Sequence, residues 1–229
     1  MTSIVYTSII GNRDVLIPQP DTGDEFIAFL DFSWIMNPWH VVRIERQFAS
    51  NVLEAKRYKL LPHVALPPHE YSLWIDGTIE IIKPQRLEDM AHRYLSDADI
   101  AMFAHRTRTC VYEEGWECIR RQLDDRDTIY ALMARYTQEG YPANHGLHEA
   151  TVILRRNTPQ MQYFNEAWWQ EVQNGSTRDQ LSFNYLAHKH GLKIASLPGD
   201  LSSGGNALFV RGQHVTLTSR IHLSITTND

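Results

Sequence analysis

Three short apolar runs, rich in β-branched residues and each ending at a turn or an acid, constrain this chain more than any other feature. They are Ser3–Ile10 (SIVYTSII), Phe26–Asp31 (FIAFLD) and Ser72–Asp76 (SLWID). A strand with one wet face alternates polar and apolar residues. A strand covered on both faces does not, and such strands belong to parallel sheets with helices on each side. Asp99–Ala104 and Ala150–Arg155 repeat the pattern, and His40–Glu45 is a shorter candidate. Helical stripes lie between them. Val52–Leu61 is a basic segment closed by Pro62, and Leu87, Met90, Ala91, Tyr94 and Leu95 recur at helical spacing. So do Ile129, Leu132, Met133 and Tyr136, stopped by Gly140, and Met161, Phe164, Trp168 and Val172, stopped by Asn174-Gly175. Asp179–His190 is a further helix, with Ser176 and Thr177 as caps and Gly191 as its stop. Leu201–Asn206 reads as a flexible loop, and His214–Thr226 as a short C-terminal strand pair. Strands interleaved with helices predict a single α/β domain with a mostly parallel central sheet flanked by helices.

Composition narrows the function. With 10% aromatics and six Trp in 229 residues, the chain has too much apolar mass to stay disordered. Its net charge of −5 gives no general footprint for nucleic acid or an anionic membrane. An anionic ligand must therefore be met locally, by a few placed cations. No apolar run approaches the roughly 18 residues of a membrane span, and the opening MTSIVYTSIIGNRD lacks a signal-type segment and reads as a strand. Two cysteines, Cys110 and Cys118, make no disulfide framework and fit reduced thiols in a cytoplasmic protein.

In an open α/β sheet, ligands bind beyond the carboxyl ends of the strands. Asp31 and Asp76 stand there. A carboxylate so placed accepts from a sugar or base edge, or holds a hard cation that bridges phosphate oxygens; Asp76-Gly77 also suits a plain turn. Lys56, Arg57 and Lys59 on one short helix are either a solvated face or cations aimed at a diphosphate. His105, Arg106 and Arg108 follow a strand and place an imidazole and two guanidiniums at its exit. Glu149 precedes a strongly apolar strand. Asp179 opens a helix, where capping alone would stabilise it. Trp116, Trp168 and Trp169 are either core aromatics or an acceptor platform.

The order KRYKLLPHVALP followed by SLWIDGTIEI resembles nucleotide-sugar-dependent glycosyltransferases of the GT-A fold, and RDQLSFN resembles the Asp-Gln…Asn motif of their glycogenin-like branch. SLWIDGTIEI, AHRTRTCVYEEGWECI, GYPANHGLHEATVILRRN and GSTRDQLSFNY together resemble, more closely, the TOD/MUCI-type glycosyltransferase-like family. That resemblance implies a Rossmann-type GT-A-like domain over 1–229, with residues 1–85 holding a nucleotide sugar and 86–229 facing the acceptor. It implies transfer from a nucleoside-diphosphate sugar, UDP-sugar favoured, to a hydroxyl of a glycan or glycoconjugate. Thr7, Ser8, Asp31, Lys56, Lys59, His105, Arg106 and Gln180 would hold the donor. Asp179 or Glu149 would position or deprotonate the acceptor hydroxyl. Asp76 would hold Mn²⁺ or Mg²⁺, with His214 or His222 as the late histidine of the glycogenin-like branch. The usual metal motif is Asp-x-Asp, and Asp76-Gly77-Thr78 keeps only its first acid. A non-catalytic nucleotide-sugar-binding relative and a metal-dependent hydrolase are the alternative readings.

Overall fold

The computed structural model describes residues 2–11, 13–201 and 205–214. The chain opens with β1 (Ser3–Ile9), β2 (Glu25–Leu30) and β3 (His40–Arg43). Helix α1 (Asn51–Leu60) and a short α2 (Pro62–Ala65) lead into β4 (Tyr71–Ile75) and β5 (Ile79–Ile81). Next come α3 (Leu87–Tyr94), β6 (Ile100–Ala104), α4 (Val111–Arg120) and α5 (Arg126–Gln138). Strand β7 (His148–Arg156), α6 (Pro159–Asn174), α7 (Asp179–Lys189), β8 (Ile194–Leu197) and β9 (Phe209–Arg211) complete it.

Among the described residues, seven strands form one sheet in the order β3-β2-β1-β4-β7-β6-β8. All pairings are parallel except those of β7, which runs against both β4 and β6. The uninterrupted apolar runs have the predicted cause. Along β1, Ile4 and Tyr6 enter the core under α1 and α4–α7, while Val5 and Ile9 enter the core on the side of α3. Strand β4 divides likewise, Trp74 to the first core and Leu73 and Ile75 to the second. Each side chain leaves water whichever way it points, so no polar alternation is required.

The short antiparallel pair of the fold joins β5 to β9, residues 79–81 with 209–211. The predicted pair at His214–Thr226 lies outside the described residues apart from His214, and so does the middle of the Leu201–Asn206 loop. Asn206 itself is ordered by side-chain bonds to the carbonyl of Asp200 and the N–H groups of Leu208 and Phe209. The α7 start differs from its prediction. Ser176 and Thr177 do not cap that helix; both hydroxyls donate to Asp124, in the link between α4 and α5, and Arg178 is the cap residue without a side-chain bond. Cys110 and Cys118 are buried free thiols. No helix among the described residues is long and apolar enough to cross a membrane.

Candidate active site

Parallel strands deliver their carboxyl ends to one sheet edge. Asp31 follows β2 there, Asp76 follows β4 and His105 follows β6; β7, running the other way, starts at that edge with His148 and Glu149. Beyond β4, the Asp76 N–H still donates to Thr151 of β7 at 2.9 Å, which fixes where the acid leaves the sheet.

Four of the predicted residues meet there. Lys56 and Lys59 lie three apart on α1 and so share a face. Their ammonium groups reach one oxygen of Asp179, Oδ2, at 2.5 and 2.7 Å. Lys59 also lies 3.5 Å from Asp76 Oδ1, which accepts a 2.8 Å hydrogen bond from the Trp74 indole. The same ammonium sits 5.5 Å from the Trp74 ring centre, within cation–π range. Asp179 is the first residue of α7, where the helix dipole favours an anion. Trp168 of α6 anchors it from below, donating its indole N–H to the Asp179 carbonyl at 3.1 Å.

The side chains of Lys59 and Asp179 are 3% and 7% exposed, and that of Asp76 is 37%. The cluster therefore opens to solvent through Asp76. Burial works to raise the Asp179 pKa, but the two ammonium groups overturn it and hold the carboxyl below the usual range. Burial works to lower Lys59, and the two carboxylates raise it instead. For Lys56 burial prevails: together with the repulsion of Lys59 it outweighs the pull of Asp179 and the weaker pull of Asp76, and the ammonium is lowered to about 8.

Thr7 and Ser8, near the end of β1, have buried hydroxyls without a hydrogen-bond partner among the described residues. Thr7 faces Gln19, Trp39, Asp76 and Gly77 across a crevice too narrow to admit a water molecule. Asp31 is engaged close by, accepting the Gly11 N–H with both oxygens at 3.1 Å.

Of the remaining candidates, His105 and Glu149 stand in a second polar group. His105 Nδ1 accepts from the N–H groups of Thr107 and Arg108, and Arg108 bonds Glu114 at 2.6 Å. Burial lowers the His105 pKa, against the pull of Glu114. Glu149 is buried and meets Arg211 of β9 at 3.3 Å. Arg106 is exposed, and Gln180 is half-buried in the first turn of α7. Asn184, one turn further along α7, accepts the His148 N–H at 3.0 Å. Trp168 and Trp169 belong to the core, whereas Trp116 is half exposed.

His214 does not reach for Asp76; its Nδ1 meets Asp14 at 2.8 Å. Asp14 lies against the Asp76-Gly77 turn, since a Cβ built on Gly77 would come 3.9 Å from the Asp14 Cβ. Among the described residues no group of three or more His, Cys, Asp or Glu side chains could hold a metal ion by itself. His222 lies outside the described residues. Sequence reasoning missed Asp14, Glu114, Arg155 and Arg211, whereas Arg108 stood with His105 and Arg106 at the strand exit. Only Arg155 left a signal, a cation set directly against an apolar strand run.

Comparison with known proteins agrees with this architecture. The family described as TOD1/MUCI70, glycosyltransferase-like domain, matches residues 28–196. The chain is 30% identical over 166 residues to "Probable hexosyltransferase MUCI70" of Arabidopsis thaliana, covering 68% of this chain and 28% of that protein. It is 22% identical over 162 residues to "Alkaline ceramidase TOD1" of Arabidopsis thaliana, covering 65% and 35%. The chain thus spans about a third or less of the length of these curated relatives. Among solved structures, a glycosyltransferase involved in the glycosylation of the major capsid of PBCV-1 superposes with a TM-score of 0.50 at 11% identity, over 98% of this chain and all of that one. Its fold is that of the GT-A glycosyltransferases. With the family match running from within β2 to within β8 and the motifs of the cluster inside it, this chain belongs to the TOD1/MUCI70 glycosyltransferase-like domain family.

Proposed function

We propose that this chain transfers a sugar from a nucleoside-diphosphate sugar, a UDP-sugar in the first instance, to a hydroxyl of a glycan or glycoconjugate. The observation that carries the reading is the union of Lys56, Lys59, Asp76 and Asp179 at the carboxyl edge of the sheet. In transfer, the bond from the anomeric carbon to the diphosphate breaks and its electron pair leaves with the phosphate. Cations held ready in a water-poor site stabilise that developing charge. Lys59 is suited to this, because its 3.5 Å contact with Asp76 is loose enough to be exchanged for a phosphate oxygen. Thr7, Ser8 and Asp31 would border the nucleoside. His105, Arg106 and Gln180 would line the approach beyond the diphosphate.

The acceptor oxygen forms the new bond and gives up its proton. Asp179 is a poor recipient, since two ammonium groups stabilise its charged form. Glu149, with a single 3.3 Å partner, is the better candidate base, a role typically worth about 10²–10⁴-fold. Asp179 then positions the cluster.

Asp76 Oδ1 is occupied by Trp74 and Lys59, and its second oxygen has no partner among the described residues. Mg²⁺ is commonly held by one or two carboxylates together with substrate phosphates, and Mn²⁺ or Mg²⁺ fits Asp76 in that shared manner. His214 would join as a ligand on leaving Asp14. Such an ion would supply further neutralisation of the leaving diphosphate.

The name of the 22% identical relative, an alkaline ceramidase, keeps a hydrolase as the second reading. Calorimetry with UDP, UDP-sugars and other nucleoside-diphosphate sugars, with and without Mn²⁺, tests the first. Binding is expected, and Asp76→Ala should abolish turnover while leaving the fold intact. No binding at millimolar ligand would overturn the proposal, and products formed with water as the sole acceptor would favour the hydrolase.

A further inference from the structure

Arg155, next to the last residue of β7, is 1% exposed and makes no ion pair with a carboxylate among the described residues. A lone buried charge is expensive, so its partners matter. Its guanidinium donates to the main-chain oxygen of Lys59 at 2.6 Å, to the Tyr6 hydroxyl at 2.5 Å and to Asn165 of α6 at 2.8 Å. The Tyr6 hydroxyl donates to the same Lys59 oxygen at 3.0 Å. That oxygen belongs to the last turn of α1, whose carbonyls have no helical partner. One donor would satisfy it. Two, from strands β1 and β7, fix it in place.

The direction of these bonds ties them to the site. Helix carbonyls point toward the C-terminus, while each Cα–Cβ bond tilts toward the N-terminus. Lys59 is thus strung between two anchors. Its carbonyl is gripped by Arg155 and Tyr6, and its ammonium extends the other way to Asp179 and Asp76. Tyr6 also meets Trp74 edge-on with ring centres 5.2 Å apart, and Trp74 is the group that orients Asp76.

We propose that Arg155 is a positioning residue, which by clamping the end of α1 sets where the Lys59 ammonium stands between the two carboxylates. This rests on the reading that those carboxylates and lysines serve the donor diphosphate, but its test does not need a donor. The acylation rates of Lys56 and Lys59 are measured by competitive labelling and mass spectrometry, well below the melting temperature, in the wild type, Arg155→Met, Arg155→Lys and Tyr6→Phe. The Trp74 indole N–H resonance is followed in the same proteins, assigned with Trp74→Phe.

Arg155→Met should label Lys59 several-fold faster and move the Trp74 resonance. Arg155→Lys, which keeps the charge but gathers its donors on one nitrogen, should fall between it and the wild type. Tyr6→Phe, which removes one of the two donors to the Lys59 oxygen and the hydroxyl that Arg155 also meets, should produce a smaller shift. If Arg155→Met does not fold, Arg155→Lys and Tyr6→Phe carry the same test. With a donor in hand, kcat should drop by about 10²-fold, the cost of misplacing a reacting group by about 1 Å, with little change in acceptor KM. A lower melting temperature with Lys59 labelling and the Trp74 resonance unchanged would reduce Arg155 to a structural residue and overturn the inference. Failure of the wild type to bind any nucleotide sugar would instead count against the proposed function and leave the positioning result standing.

Discussion

Asp179 receives two ammonium groups on one carboxylate oxygen, and its removal exposes what each member of the cluster contributes. Asp179→Asn keeps the shape but leaves Lys56 and Lys59 facing each other in a nearly dry site. Breaking one side of a buried pair typically costs about 3–5 kcal/mol, and denaturant unfolding should show a loss of that order. A loss below about 1 kcal/mol would mean that water reaches the lysines. Lys56 gives a separate prediction in pH. Its folded pKa of about 8 lies below its ordinary 10.5, chiefly through burial. Donor binding that needs this ammonium should weaken as pH rises through about 8, and Lys56→Arg, which stays protonated, should move that limb upward. Stability should not follow. A lysine whose folded pKa is depressed destabilises fully below pH 8, and that cost fades as pH rises toward 10.5. Lys59 has the opposite sign, its stabilisation complete below 10.5 and lost only above its raised value. Binding and unfolding measured from pH 7 to 10 should therefore part company.

At the scale of elements, the start of α7 decides where Asp179 sits, and a residue outside that helix holds it. Asp124 Oδ2 accepts from the Ser176 hydroxyl, the Thr177 N–H and the Thr177 hydroxyl at 2.8, 2.7 and 2.9 Å. Asp124→Ala should cost about 2–4 kcal/mol, at about 0.5–1.5 per bond, and should also weaken donor binding by letting Asp179 drift. Unchanged affinity in a destabilised variant would assign that placement to Trp168 alone. Ser-Thr before a helix is a capping signal, and nothing local to it reveals a competing acceptor some 50 residues upstream. Helix α4 escaped the sequence for a related reason. Its buried stripe, Val111, Glu114, Gly115 and Cys118, includes a carboxylate and a glycine. A Cβ at Gly115 would meet the Met133 sulfur at 2.4 Å and push that side chain aside. Hydrophobic periodicity does not register a residue chosen for having no side chain.

The molecule as a whole carries a net charge of −5 and still concentrates cations at one edge of its sheet. The strands that end there were legible because burial on both faces writes itself into composition. Asp76 and its lysines were legible because the strand end and the short basic helix are local patterns. The reversed direction of β7 was not, since apolar runs are the same read either way. Asp14 was not, because its partner His214 stands 200 residues away. The reversal of β7 has an outcome for how such a chain diversifies. Residues 139–147 feed β7 at the very rim where β4 delivers Asp76, yet they share no bond with the lysines or with Asp179. Lengthening or recolouring that connector would redraw what the rim admits and spare the machinery for cleavage. On the proposed function, selectivity and reactivity are thereby written in separate sentences of one polypeptide, free to be edited one at a time.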